Sequence, residues 1–308
     1  MSNRDLQLID ELIDMLEHVD QFIDELDQGW DSSEDAKAFV SGLFQAALSI
    51  NQLSEQITVY ISLRQELYDS IPAIYDDAQK YRDVIEIINW DEETLIELIS
   101  KRIKYSVPAL STLSNEEAWN AVFAEQIQYR KAKSFNYLID RTLYRPRELI
   151  QFCTDVLGEN DTRRFPMDYE QISAAEFRYS EDRTKDIASE YRFQMPSLLS
   201  VLEVFRGMAY SMAREDLELI CLGIVEGEYK TSPEAFQWID GQDHEYLIEA
   251  LWSVGFLKAY AVGGIKARRR SGSSYIGNYQ VGNINLGNIT RFQIHPMFRT
   301  YLGLKEAR

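Results

Sequence analysis

The spacing of apolar residues changes twice along this chain, and each change rules out a set of folds. Between residues 6 and 104 the pattern alternates between helical and strand periods. Leu8, Ile9, Leu12, Ile13, Leu16, Val19, Ile23 and Leu26 recur at intervals of three and four, which predicts an amphipathic helix over 5–27. Ser32-Ser33-Glu34-Asp35 reads as an N-cap opening a helix over Ala36–Ile50, with Phe39, Val40, Leu43, Phe44 and Ala47 inward. Ile57–Leu63 is β-branched and apolar, so a strand is expected there, and a shorter one over Val84–Ile88. Asp91-Glu92-Glu93 then caps a helix over Thr94–Lys104. Such alternation belongs to a parallel α/β sheet, but it supplies too few strands for a complete one.

The second stretch reads as helices alone, over 115–130, 132–141, 146–157, 168–192 and 196–210, with Pro108, Pro146, Pro166 and Pro196 near helix starts. The third changes again. Short helices over Arg214–Gly227, Ser232–Asp240 and Asp243–Val254 precede a strand at Phe256–Val262, a Gly/Ser/Arg-rich loop and alternating residues through Tyr275–Ile294. Three short helices followed by a hairpin suggest the winged-helix variant of helix-turn-helix. The expected fold is therefore mostly α, with a partial α/β sheet over 1–107, a helical lid-like bundle over 108–212 and a winged helix over 213–308.

The chain carries a net charge of −18, which argues against wrapping of nucleic acid by the whole molecule. That charge is uneven: from Gln242 onward nine Lys or Arg stand against four Asp or Glu. An acidic platform with a basic tail is implied. The two cysteines, Cys153 and Cys221, lie on apolar helix faces and have no metal-site spacing, so buried thiols are expected. An acidic start without an apolar core to it, and no apolar run of membrane-spanning length, predict a cytoplasmic protein with no membrane contact.

Four constellations are candidates for chemistry. In Phe22-Ile23-Asp24-Glu25-Leu26-Asp27 an apolar lead-in meets acids, the arrangement that presents one carboxylate to Mg²⁺ and its neighbour to an attacking water. The competing reading is a solvated acidic turn at a helix end, and the polar Asp20 and Gln21 favour it. Arg64 follows the Ile57–Leu63 strand, and the carboxyl edge of a parallel strand is where open α/β sheets bind ligands. Arg145-Pro146-Arg147 opens a helix, where guanidinium groups either reach a phosphate or pair with acids. Lys266, Arg268, Arg269 and Arg270 fall in the expected wing, placed to meet a phosphate backbone or solvent. The helix that would read the major groove, Asp243–Val254, has three acids and no Lys or Arg. His18, His244 and His295 fall in separate elements and suggest no dyad, with His295-Pro296 expected to be structural. A Gly-x-x-x-x-Gly-Lys-[Ser/Thr] phosphate cradle occurs nowhere: Lys133-Ser134 and Lys230-Thr231 follow Ala132 and Tyr229.

Taken together, these segments resemble bacterial P-loop ATPases of the STAND/AAA+ kind, found as regulatory or defence-associated proteins. Phe22–Asp31 resembles the family's Walker B strand with its glycine-tryptophan continuation, and Val59–Leu67 its sensor strand, with Arg64 at the sensor position. Asn89–Leu95 through Lys101-Arg102-Ile103 is similar to the helix after the last sheet strand. Tyr144-Arg145-Pro146-Arg147-Glu148-Leu149-Ile150-Gln151-Phe152 resembles the lid helix in which an arginine contacts the γ-phosphate. Tyr179–Glu190 and Phe292–Arg299 resemble the linker helix and the winged-helix ending. The resemblance implies ATP and Mg²⁺ as ligands, Asp24 and Glu25 as the metal and water carboxylates, and Arg64 with Arg145 or Arg147 at the γ-phosphate. Without the cradle it implies a degenerate or partial ATPase, working as a regulatory or interaction module with a protein partner or its own copies. Two alternatives stand beside it: an ATP-hydrolysing subunit completed by a separate chain, and a winged-helix regulator that binds nucleic acid through Lys266–Arg270.

Overall fold

A computed structural model describes residues 19–26, 33–53, 56–64, 68, 84–127, 131–158, 164–260, 275–281 and 284–306. The chain is mostly helical, with small sheets, and divides into two compact units, residues 1–88 and residues 89–308.

In the first unit, strand β1 (Val19–Ile23) leads through helix α1 (Glu34–Leu53) to strand β2 (Ile57–Ile61). The strands pair in parallel, with Val19 opposite Ile57 and Ile23 opposite Ile61. This corrects the helix expected over 5–27: residues 19–23 are extended, and the part before Val19 lies outside the described residues. The helical spacing misled because β1 is not a buried strand. Asp20, Gln21 and Phe22 are all exposed, so polar residues cost it little. Helix α1 begins as expected, the Ser33 Oγ accepting from the Ala36 N–H at 3.2 Å. Its inner face is Val40 and Ala47, with Phe44 packed beside Val40, whereas Phe39 is 67% exposed and turns outward. Val84–Ile88 forms no ladder with any described residue.

The second unit is built differently. Helix α2 (Glu92–Ser106) starts with a reciprocal cap: Asp91 Oδ1 accepts from the Thr94 N–H at 2.8 Å and Thr94 Oγ1 accepts from the Asp91 N–H at 3.0 Å. Helices α3 (Asn115–Val122), α4 (Ser134–Ile139), α5 (Pro146–Gly158), α6 (Tyr169–Glu190) and α7 (Leu198–Val204) follow. Ser114 caps α3 and Asp168 caps α6 in the same reciprocal way, each such cap contributing about 1 kcal/mol. Strand β3 (Ser211–Ala213) runs directly into helix α8 (Arg214–Val225), which is followed by the single-turn α9 (Phe236–Ile239) and by α10 (His244–Ser253). Strands β4 (Leu257–Tyr260), β5 (Tyr275–Ile276) and β6 (Arg291–Ile294) and helix α11 (Pro296–Leu302) complete the described part. The sheet order is β3-β6-β4-β5, antiparallel throughout.

One continuous apolar core runs from Leu95 to Leu302 and takes in Trp119, Phe152, Tyr179, Phe205, Phe256, Phe292 and Phe298, all nearly or fully buried. Residues on either side of positions 107 and 212 share it, so the bundle and the C-terminal helices and strands belong to one compact unit. Helix α6 packs against both α5 and α11, and the Ser180 hydroxyl donates to the Met297 carbonyl at 2.5 Å. Cys153 and Cys221 are buried free thiols; burial pushes the Cys221 thiol up to about 12, so neither is ionised near neutrality.

Candidate functional site

In the first unit, parallel pairing brings the carboxyl ends of β1 and β2 side by side. The Ser62 N–H donates to the Ile23 carbonyl at 2.9 Å, closing the last rung of the ladder. Asp24 follows immediately on one strand, and Arg64 stands three residues past Ile61 on the other. Asp24, Glu25 and Arg64 are all exposed. Glu25 turns the chain at φ 61°, a left-handed conformation that costs a non-glycine residue about 1 kcal/mol. Asp24 and Arg64 therefore share the edge at which open parallel sheets meet ligands. On the sheet face, Phe22 and Tyr60 stack with centroids 4.8 Å apart, and both remain exposed.

The arginines that open α5 lie in the second unit. Arg145 Nη1 is 2.9 Å from Glu190 Oε2 at the end of α6 and 3.9 Å from Glu148 Oε1 on its own helix. Burial opposes the Arg145 charge, but Glu190 and Glu148 outweigh it and hold the guanidinium firmly protonated. Glu148, 3% exposed, also accepts from the Leu143 N–H at 2.6 Å. Its burial raises its affinity for a proton against the pull of Arg145 and that N–H. Of the two outcomes open to a guanidinium at this helix start, Arg145 takes pairing with acids; Arg147 is exposed. Glu148 and Glu190 escaped the sequence reading. The signal for Glu148 was within the quoted motif, an acid at an apolar position of α5, three residues from Arg145. Glu190 is 45 residues away and carried none.

A second charged cluster ties the bundle to α11. Glu176 accepts from the Tyr137 hydroxyl at 2.5 Å and from the Thr300 hydroxyl at 2.6 Å, and its Oε1 lies 2.9 Å from Arg141 Nε. The Arg141 guanidinium also lies 3.3 Å over the Tyr137 ring. Burial pushes the Glu176 carboxyl up, yet Arg141 and the hydroxyl donors more than offset it and hold it below the usual carboxylate value. His295, fully buried, accepts from the Met297 N–H at Nδ1, 3.1 Å, so its proton sits on Nε2 and is directed to the Tyr279 hydroxyl at 2.9 Å. Burial, then Lys258, Arg299 and Arg141, keep it neutral well below its ordinary value. His295 thus caps helix α11.

Among the described residues, one histidine-carboxylate group is close enough to share a metal: Glu218, His244 and Glu245. Arg214 already lies between its acids, with Nε 2.5 Å from Glu218 Oε1 and Nη2 bonded to Glu245, so the charge a cation would supply is present. Were Mg²⁺ and ATP to bind, the carboxylates expected to serve as donors, Asp24 and Glu25, would be at the strand edge. They suit a hard cation. Nothing in the 308-residue sequence supplies the glycine-rich backbone cradle and lysine for the phosphates, so these residues alone do not fit the whole nucleotide. Lys266, Arg268, Arg269 and Arg270 lie outside the described residues. No described helix is long and apolar enough to cross a membrane.

Residues 93–188, from α2 through α6, match the profile of a family described as the FunZ-associated C-terminal helical domain. The chain is also similar to the putative transposon gamma-delta 80.3 kDa protein of Escherichia coli K12, at 24% identity over 314 residues. That alignment takes in 96% of this chain but 42% of the relative, so the chain spans well under half of that protein's length. No solved structure matches.

Proposed function

We propose that this chain is a partial P-loop ATPase-like module, a regulatory or interaction component that does not hydrolyse ATP on its own. One observation carries the reading: β1, α1 and β2 form a parallel unit with Asp24 and Arg64 at the carboxyl ends of neighbouring strands. In such a site one carboxylate holds Mg²⁺ through water and an arginine reads phosphate charge. The phosphate cradle has to come from elsewhere, and a relative more than twice as long accords with a larger machine built on the same part. The name of that relative supports a setting in mobile-element biology or the regulation and defence that surround it.

The test is calorimetric titration of Mg²⁺·ATP into the chain alone and into its mixture with a co-encoded polypeptide carrying a Gly-x-x-x-x-Gly-Lys-[Ser/Thr] loop. Binding is expected only in the mixture, and Asp24→Asn lowers it at least tenfold. Heat absent from both titrations, or unaffected by Asp24→Asn, overturns the reading.

In the same reading, α8, α9, α10 and the strands after them form a winged helix that meets protein rather than nucleic acid. Helix α10 carries Glu245 and Glu249, an Asp243 cap and no Lys or Arg, a charge that repels phosphates. DNA retardation in a gel that is abolished when Arg268, Arg269 and Arg270 are replaced by alanine would reverse this assignment.

A further inference from the structure

Helix α8 is apolar on two faces, and one of them meets solvent. Among the nine residues over 217–225, Glu218 carries the only charge. Leu217, Cys221 and Ile224 form the inner face and are fully buried. At about 100° per residue, Glu215, Leu219, Leu222 and Glu226 fall within about 60° of one another on the opposite face. Leu219 is 67% exposed and Leu222 38%, with an exposed acid at either end of the stripe. Every residue over 164–260 is described, so α8 is seen together with its neighbours α9 and α10. A helix that is apolar all round belongs in an interior, and the outer face of α8 is left for something else to cover.

The charge around this face selects what can cover it. From Glu215 to Glu249, ten Asp or Glu stand against a single Lys, Lys230, and eight of the ten acids are exposed. Glu215 and Asp216 lie in the first turn of α8, where the helix dipole favours them. Glu226 caps the carboxyl end and Glu228 follows it, where the dipole favours Lys or Arg, and the last turn has no basic residue. The stability of α8 itself does not account for those two acids. Pairing of this face with its own copy about a two-fold axis would set acids against acids. Nucleic acid and anionic lipid are repelled by the same field. An apolar ridge flanked by Lys or Arg is the complement of an apolar stripe with an acid at each end.

We propose that the outer face of α8, from Glu215 to Glu226, docks a basic amphipathic helix of a partner protein. Apolar residues of that helix, at intervals of three and four, pack on Leu219 and Leu222. Its Lys or Arg side chains meet Glu215 and Glu226 at the two ends. Burial of the leucines supplies most of the affinity, and the acids, screened by salt at the rim, set orientation and association rate. Helix α10, packed against α8, extends the acidic field through the exposed Asp243 and Glu249. The proposal rests on the reading that these helices meet protein, and adds which surface is used and what chemistry covers it.

The experiment titrates the whole chain against a fluorescent amphipathic helical peptide of leucine and lysine, and against its leucine and glutamate counterpart. The native chain is expected to bind the basic peptide and not the acidic one. Leu219→Ser with Leu222→Ser should weaken binding at least tenfold. Glu215→Lys with Glu226→Lys should weaken it as much and transfer binding to the acidic peptide; this pair reads the same surface should the serine variant fold poorly. Glu170→Lys with Asp182→Lys changes the net charge equally, at exposed acids of α6, and should leave the affinity within about twofold. Basic peptide bound equally by native chain and serine variant, or weakened equally by both charge reversals, would overturn this surface alone. A dimer of the native chain that the serine variant abolishes would overturn the partner in favour of a second copy. Retardation of DNA with neither peptide bound would overturn the protein-binding reading itself.

Discussion

The two units apply opposite solutions to the same problem of covering apolar surface. Residues 89–308 surround one core in which eight aromatic side chains, from Trp119 to Phe298, are less than 2% exposed. In the first unit, Val40 and Ala47 are the buried apolar residues among those described, whereas Phe22, Phe39, Leu53 and Tyr60 remain between 47% and 77% exposed. The buried apolar contacts that support stability are therefore concentrated in residues 89–308. Asp24 and Arg64, at the strand ends, sit on the thinly packed part, and the well-packed part uses its charged residues as internal ties.

That contrast is sharpest for carboxylates. Glu176→Ala leaves the Arg141 guanidinium buried without its partner and removes the acceptor of two hydroxyls. A loss of about 3–5 kcal/mol in urea unfolding of the second unit is expected, the range for breaking a buried pair. Glu34→Ala removes an exposed carboxylate bonded to Lys37 at 2.9 Å and should change the first unit by no more than about 0.5 kcal/mol. Comparable losses from the two substitutions would erase the distinction.

The pH dependence provides a second way to break it. His295 is buried neutral, and its proton affinity is lower in the fold than in the unfolded chain, which has the ordinary value near 6.5. Below that pH the unfolded chain takes up a proton that the folded one refuses, so stability falls as pH falls. Thermal unfolding of the second unit should show a slope of up to about 1.4 kcal/mol per pH unit from this group between pH 6.5 and 5. His295→Asn retains a cap acceptor for the Met297 N–H and should flatten that slope. Glu176 contributes with the same sign but in more acid solution: its carboxyl is held below its usual range, and the benefit is lost as pH falls through that lowered value.

A small effect of the opposite sign is expected at Glu25. With φ at 61°, glycine should be accommodated there without the conformational penalty, and Glu25→Gly should raise the unfolding free energy of the first unit, measured in urea, by up to about 1 kcal/mol, less the added entropy of the unfolded glycine. A marked loss of stability would overturn the conformational argument.

How far the sequence was legible follows from these same residues. Helices α1, α2, α5 and α6 could be read closely, because each combines a cap (Ser33, Asp91, Asp168) or a Pro146 start with a long apolar period. Val19–Ile23 was misread since an exposed strand loses the unbroken apolar run that marks a buried one, leaving a spacing that mimics a helix. Asp24 and Arg64 were legible as candidates, but their shared edge followed only from the parallel register. Arg145 was legible as a guanidinium at a helix start, and its commitment to Glu190, 45 residues on, was not.

By itself, then, the sequence determined the mostly helical character, the helix starts and the absence of a glycine-rich phosphate cradle, because periods, caps and motifs are local and need no partner to be recognised. Only the tertiary structure decided which arginine is tied down, which carboxylates are buried beside a guanidinium and which strand ends stand side by side. Those outcomes depend on groups far apart in the chain meeting at hydrogen-bond distance, and no local pattern encodes the meeting.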